Sequence, residues 1–131
     1  MAVRDAQGIR ERLQEMLEGR PEVCFAYLHG SFVEGVSYHD VDVAVYLQPG
    51  RHLDPFDYGM GLSVEMTLAL GFPVDVQVLN DAPLGFQHTV SRGEALLVRD
   101  EAVLTAWIER IAVGYTEFAY LGRVYLREVT S

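Results

Sequence analysis

Two short stretches of the chain place valine at every second position with aspartates between, and this alternation constrains the fold more than any other feature. In Asp40-Val41-Asp42-Val43-Ala44-Val45-Tyr46-Leu47, an extended backbone puts Val41, Val43, Val45 and Leu47 on one side. Asp40, Asp42, Ala44 and Tyr46 take the other side. In Val74-Asp75-Val76-Gln77-Val78-Leu79, Val74, Val76 and Val78 face one way and Asp75 and Gln77 the other. Both stretches are predicted strands whose valine face packs on the core. If the two strands pair, Asp75 joins Asp40 and Asp42.

The other elements follow from spacing and breakers. Ile9, Leu13, Met16 and Leu17 recur at helical spacing between Arg4 and Gly19, where Gly19 and Pro21 make a stop. Glu22 to His29 reads as a first strand, and Gly30 to Gly35 as a turn passing into a short helix. The second strand, Asp40 to Leu47, ends at Pro49-Gly50. Phe56, Met60, Val64 and Leu68, four apart, predict a helix over Pro55 to Leu70, weakened by Gly59 and Gly61 and capped by Gly71. After the third strand, Asn80-Asp81-Ala82-Pro83 signals a short helix running to Arg92, and Glu94 to Val98 reads as a fourth, edge strand. Leu104, Trp107, Ile108, Ile111, Tyr115, Phe118 and Tyr125 form an apolar stripe on a helix from Glu101 to about Leu126. Strands alternating with helices predict an α/β (α+β) fold: a small sheet of three or four strands flanked by helices, with a long C-terminal helix. The short connection between the first two strands argues against a purely parallel sheet and for a mixed one.

With 131 residues, half of them hydrophobic, residues 1–131 are expected to form one domain with its own core. No apolar stretch reaches the roughly 20 residues that span a bilayer. The first residues mix Arg4, Asp5, Arg10, Glu11 and Arg12 and lack a signal-peptide core, so a cytoplasmic protein without a membrane partner is expected. Cys24, in the apolar segment Val23 to Leu28, is expected to be buried. A net charge of −9 argues against a module that binds duplex nucleic acid. It leaves nucleotides open, because divalent cations neutralise carboxylates and phosphates alike.

Three carboxylates at one place repel one another strongly unless a cation lies among them. At roughly 3.3 Å per residue, Asp40 and Asp42 stand about 6.6 Å apart along the strand, a span that can bridge two metals about 3.5–4 Å apart. Asp40, Asp42 and Asp75 therefore read as a hard-metal site. Upstream, Gly30-Ser31 follows a strand and is separated from Asp40 by eight residues. Glycine admits a phosphate close to the backbone, and serine adds a hydroxyl beside backbone N–H groups. Each part alone has a plain reading, since an Asp at a strand start is commonly a solvated turn residue. Together, in this order, they point to metal-dependent phosphoryl or nucleotidyl transfer.

The segment LHGSFVEGVSYHDVDVAVYL, Leu28 to Leu47, resembles the signature of the minimal nucleotidyltransferases of the DNA polymerase beta superfamily. The likeness continues through PVDVQVLNDAPLGFQHTVSRGEALLVRD, Pro73 to Asp100, and is greatest to the MntA-like antitoxin branch, whose members pair with HEPN-domain toxins. The resemblance implies a nucleotidyltransferase fold and transfer of a nucleoside monophosphate from an NTP, with ATP as the donor in that branch. It implies two Mg²⁺ ions (Mn²⁺ as an alternative) and, as acceptor, a tyrosine hydroxyl of the HEPN toxin. By position, Gly30 and Ser31 would hold the triphosphate, Asp40 and Asp42 both metals, and Asp75 the catalytic metal and the acceptor proton. The chain departs from the pattern at Glu34, where family members commonly carry a basic residue, in a shorter spacer, and at His39, where Ser is frequent. Two alternatives therefore stay open: an antitoxin that acts by binding alone, and a nucleotidyltransferase acting on a small molecule.

His29 and His39 flank the motif as candidate phosphate contacts or, equally, as strand-end packing. His52 and His88 match no zinc spacing and read as surface residues; Asp54 and Asp57 read as a helix start. The aromatic end of the C-terminal helix (Tyr115, Phe118, Tyr120, Tyr125) either packs on the sheet or meets another subunit, in a homo- or hetero-oligomer.

Overall fold

The computed structural model describes residues 5–35, 37–50 and 53–130, the side chains of Phe118, Val129 and Thr130 excepted. Helix α1 (Ala6–Glu18) starts where the Asp5 carboxylate accepts a hydrogen bond from the Gly8 N–H at 2.7 Å. The chain then runs β1 (Val23–His29), α2 (Ser31–Glu34), β2 (Val41–Leu47), α3 (Pro55–Leu70), β3 (Val74–Val78), α4 (Leu84–Ser91), β4 (Glu94–Val98) and α5 (Glu101–Thr130). The expectations for Arg4 and His52 lie outside the described residues.

The four strands lie in the order β3-β2-β1-β4. β1 is antiparallel to both β2 and β4, while β2 and β3 run parallel, so the sheet is mixed as the short first connection requires. Alternation then separates two cores. Val41, Val43, Val45 and Leu47 pack with Val74, Val76, α1 (Ile9, Leu13, Leu17) and α3 (Leu62, Met66, Leu70). On the opposite face, Phe25, Tyr27 and Ala44 pack with Val90 of α4 and with Trp107 and Ile111 of α5, and buried Cys24 belongs to the same cluster. Alternation along β1 serves both, and the register shift between Val23 and Phe25 puts Cys24 and Phe25, consecutive in sequence, in the same cluster.

Helix α3 forms as expected, with Asp54 capping the N–H groups of Phe56 and Asp57. Its predicted apolar stripe, however, faces away from the protein: Phe56 is 72 %, Met60 53 %, Val64 55 % and Leu68 78 % exposed. The reason is that α3 lies along the free edge of β3. Ser63 Oγ accepts from the Val76 N–H at 2.8 Å, and Thr67 Oγ1 accepts from the Val74 N–H at 3.0 Å, so helix hydroxyls satisfy strand amides. Gly59 makes the approach possible, because a Cβ there would lie 2.8 Å from the Val76 carbonyl oxygen.

Helix α4 starts directly after the Asn80-Asp81-Ala82-Pro83 signal, without a side-chain cap. The cap position is Pro83, and Asn80 instead bridges the end of β2, accepting from the Leu47 N–H and donating to the Leu47 carbonyl, both at 2.8 Å. Helix α5 is 30 residues long, longer than expected, and spans about 45 Å. Its first third is seated by Trp107, 1 % exposed, whose Nε1 donates to Gln87 Oε1 at 2.8 Å. His88, expected on the surface, is half-buried and stacks on Tyr115 with ring centres 3.8 Å apart. Farther on, Tyr120, Leu121, Tyr125 and Leu126 are exposed. No helix among the described residues is long and apolar enough to cross a membrane.

Candidate active site

The acidic cluster is built where β1 ends and β2 begins. His29 closes β1 and is the register partner of Asp42 on β2. On the other side of β2, Asp75 of parallel β3 is also the register partner of Asp42. Asp42 is thus central, flanked by an imidazole and a carboxylate on the sheet face that carries Ala44 and Tyr46. Asp40 directly precedes β2 and is exposed, as is Asp75, whereas Asp42 is half-buried.

Gly30 makes the turn out of β1 with φ +80° and ψ −160°, a region essentially confined to glycine. A Cβ at this position would lie 2.5 Å from Asp42 Oδ2. The glycine therefore has two causes, a backbone conformation and a carboxylate lying against its Cα. Ser31 follows as the first residue of α2, which is anchored by buried Phe32 under the Arg10 guanidinium, 4.9 Å from the ring centre.

Burial pushes the Asp42 carboxyl above the ordinary carboxylate range, neighbouring Asp40 pushes it further, His29 pulls it down and Asp75 adds a smaller upward push. Burial likewise lowers His29, against the opposing pull of Asp42 and Asp75, and so favours the neutral imidazole. Gln77 Nε2 donates to Asp75 Oδ2 at 3.2 Å and holds that carboxylate. Among the described residues, no three His, Cys, Asp or Glu side chains stand close enough together to hold a metal ion. Asp40, Asp42 and Asp75 share one face but are not closed into a ligating group. The donor set nevertheless fits a hard divalent cation: the groups are acceptor-only oxygens, mutually repelling, and the central one is penalised for its charge.

Of the flanking histidines, His29 is built into the site wall, 9 % exposed, with its ring edge against Phe86, while His39 is exposed. A groove of about 390 Å³ opens beside Gly30, lined by His29, Val33, Glu34, His88, Thr89 and Arg92. Sequence reasoning missed Gln77, His88 and Arg92 as site neighbours. Gln77 was legible in principle, since it lies two positions beyond Asp75 on the same strand face. Arg92 carries no local signal; the β1–β4 pairing, Leu28 opposite Glu94, is what brings it across from Gly30.

A mixed sheet with helices on both faces, a Gly-Ser turn at one strand end and aspartates on the adjoining strands define a nucleotidyltransferase-type architecture. Residues 11–102 match the family described as Polymerase beta, Nucleotidyltransferase, and the chain belongs to that family. Among curated proteins none matches. Solved structures share the fold at low identity. A chain from the complex of a tri-AMPylated Shewanella oneidensis HEPN toxin with its MNT antitoxin is 19 % identical with a TM-score of 0.71, covering 97 % of this chain and 100 % of that one. A chain from the MntA-HepT toxin-antitoxin is 19 % identical with a TM-score of 0.70, covering 95 % and 99 %. One from a toxin-antitoxin with AMP-PNP is 20 % identical with a TM-score of 0.73, covering 93 % and 98 %.

Proposed function

We propose that the protein is a metal-dependent nucleotidyltransferase that moves AMP from ATP to a tyrosine hydroxyl of a HEPN-type toxin, acting with that partner in the cytoplasm as its antitoxin. The observation that carries this reading is the register Asp42 opposite Asp75, with the Gly30 turn lying directly against Asp42. Membership of the family supports the reaction class. The MNT antitoxin solved with a tri-AMPylated HEPN toxin supports the choice of partner and of AMP.

In this reading Gly30 lets the triphosphate approach the backbone, and the Ser31 hydroxyl donates to a phosphate oxygen. Asp40, Asp42 and Asp75 would hold Mg²⁺ (Mn²⁺ as an alternative), which when bound neutralises phosphate charge and stabilises the negative charge that develops during transfer. Asp75, at the open edge of the site, takes the proton of the acceptor hydroxyl. The acceptor oxygen forms a bond to the α-phosphorus, the bond from that phosphorus to the bridging oxygen of the β-phosphate breaks, and pyrophosphate leaves. The exposed far half of α5 is the surface offered to the partner.

A second reading, neutralisation by binding alone, is favoured by one observation: Glu34 puts a negative charge in the groove beside Gly30. Co-expression with the toxin separates the two. Under the catalytic reading Asp42→Asn leaves the toxin active while the wild type silences it; silencing by both proteins would favour the binder.

A further inference from the structure

Most arginines of the folded body have a partner. Arg10 grips the Glu94 carboxylate, Arg12 pairs with Glu15, Arg20 pairs with Glu65, Arg99 donates to the carbonyls of Glu18, Arg20 and Val23, and Arg110 reaches the Tyr46 hydroxyl. The Arg92 side chain makes no hydrogen bond or ion pair among the described residues, although its backbone is fixed as the C-cap of α4. It lines the groove beside Gly30, as Glu34 does.

An unpaired surface arginine alone says little. The same groove adds a second observation. His29 lines the same groove and is 9 % exposed, and its Nε2 is buried without a hydrogen-bond partner among the described residues. Buried polar atoms are rarely left unpaired, because the lost hydration goes uncompensated. A groove lined by both an unspent guanidinium and an unsatisfied imidazole is suited to a ligand rich in acceptor oxygens. Guanidinium binds phosphate through paired N–H groups, and here it offsets the charge of Glu34.

We propose that this groove is a polyphosphate subsite in which Arg92 binds the β- and γ-phosphates of the nucleoside triphosphate and His29 supplies a second contact. The proposal rests on the nucleotidyl-transfer reading and adds that the cation of the triphosphate site comes from the end of α4 rather than from α2.

The test is equilibrium binding of ATP, AMP and inorganic tripolyphosphate, with Mg²⁺, to the full chain as wild type, Arg92→Ala, Arg92→Lys and His29→Phe. Loss of a charge-assisted pair predicts that Arg92→Ala raises Kd for ATP and tripolyphosphate at least about 10-fold and leaves AMP within about 2-fold. Arg92→Lys should fall between the two, and His29→Phe, which keeps the contact with Phe86, should weaken ATP by several-fold. Arg92 is exposed, so the thermal midpoint should stay at the wild-type value. Equal ATP affinity in wild type and Arg92→Ala, or an equal loss for ATP and AMP, would overturn the subsite while leaving nucleotidyl transfer standing. A wild-type chain that binds none of the three ligands would remove both.

Discussion

Gly30→Ala tests the turn that joins the phosphate-binding segment to the carboxylates. Two costs can be worked from the structure. The backbone at φ +80°, ψ −160° is strained for any residue with a Cβ, at about 1–3 kcal/mol. The added Cβ also meets Asp42 Oδ2 at 2.5 Å, so the Asp42 carboxylate must swing away from the face it shares with Asp75. A total of about 2–3 kcal/mol lowers the thermal midpoint of a domain this size by roughly 7–11 °C. Gly35→Ala is the matched control. Its φ is +76° with ψ 11°, and a Cβ there meets nothing among the described residues within 4 Å, so only the left-handed strain applies, about 1 kcal/mol. Calorimetry together with transfer of label from α-phosphate-labelled ATP reads both effects. Gly30→Ala should lose more stability than Gly35→Ala and should lose transfer, while Gly35→Ala keeps it. Equal midpoints for the two variants, or full transfer by Gly30→Ala, would refute the reasoning.

Three further outcomes follow from burial and charge. Asp42 has its carboxyl raised chiefly by burial, so its ionised form weakens the metal-free fold, and Asp42→Asn should raise the midpoint near neutral pH. The gain should vanish below the ordinary carboxylate range, where the group is protonated folded and unfolded alike; calorimetry across pH reads this. Leu68→Ala, at a site 78 % exposed, should cost no more than about 0.5 kcal/mol, whereas Leu70→Ala, at a site 0 % exposed, should cost about 2–5 kcal/mol by denaturant titration. Leu121→Glu with Tyr125→Glu on the exposed end of α5 should leave the midpoint within about 2 °C and abolish co-purification of a co-expressed HEPN partner.

What the sequence made legible was set by short-range alternation. The valines of β2 and β3 fix which face is buried, and once those strands run parallel, the same alternation sets Asp75 opposite Asp42. Helix α3 shows where periodicity loses its hold. Phe56, Met60, Val64 and Leu68 are spaced by four, but so are the buried Leu62, Met66 and Leu70, and spacing alone cannot choose between two stripes of equal period. The choice is made by the edge of β3, which needs Ser63, Thr67 and Gly59 turned inward. In the site, Gly30, Ser31 and the aspartates announce themselves by local chemistry. Arg92 does not, because only the tertiary pairing of β4 with β1 carries it across from Gly30.

The most direct measurement of the central claim is transfer of label from α-phosphate-labelled ATP with Mg²⁺ into a lysate of the source cell, comparing wild type with Asp42→Asn and Asp75→Asn. The account predicts one labelled protein band with wild type alone, at the mass of the acceptor. Label that persists in both variants would show that these carboxylates do not carry the reaction, and no label from any common nucleoside triphosphate with the wild-type protein would contradict nucleotidyl transfer itself.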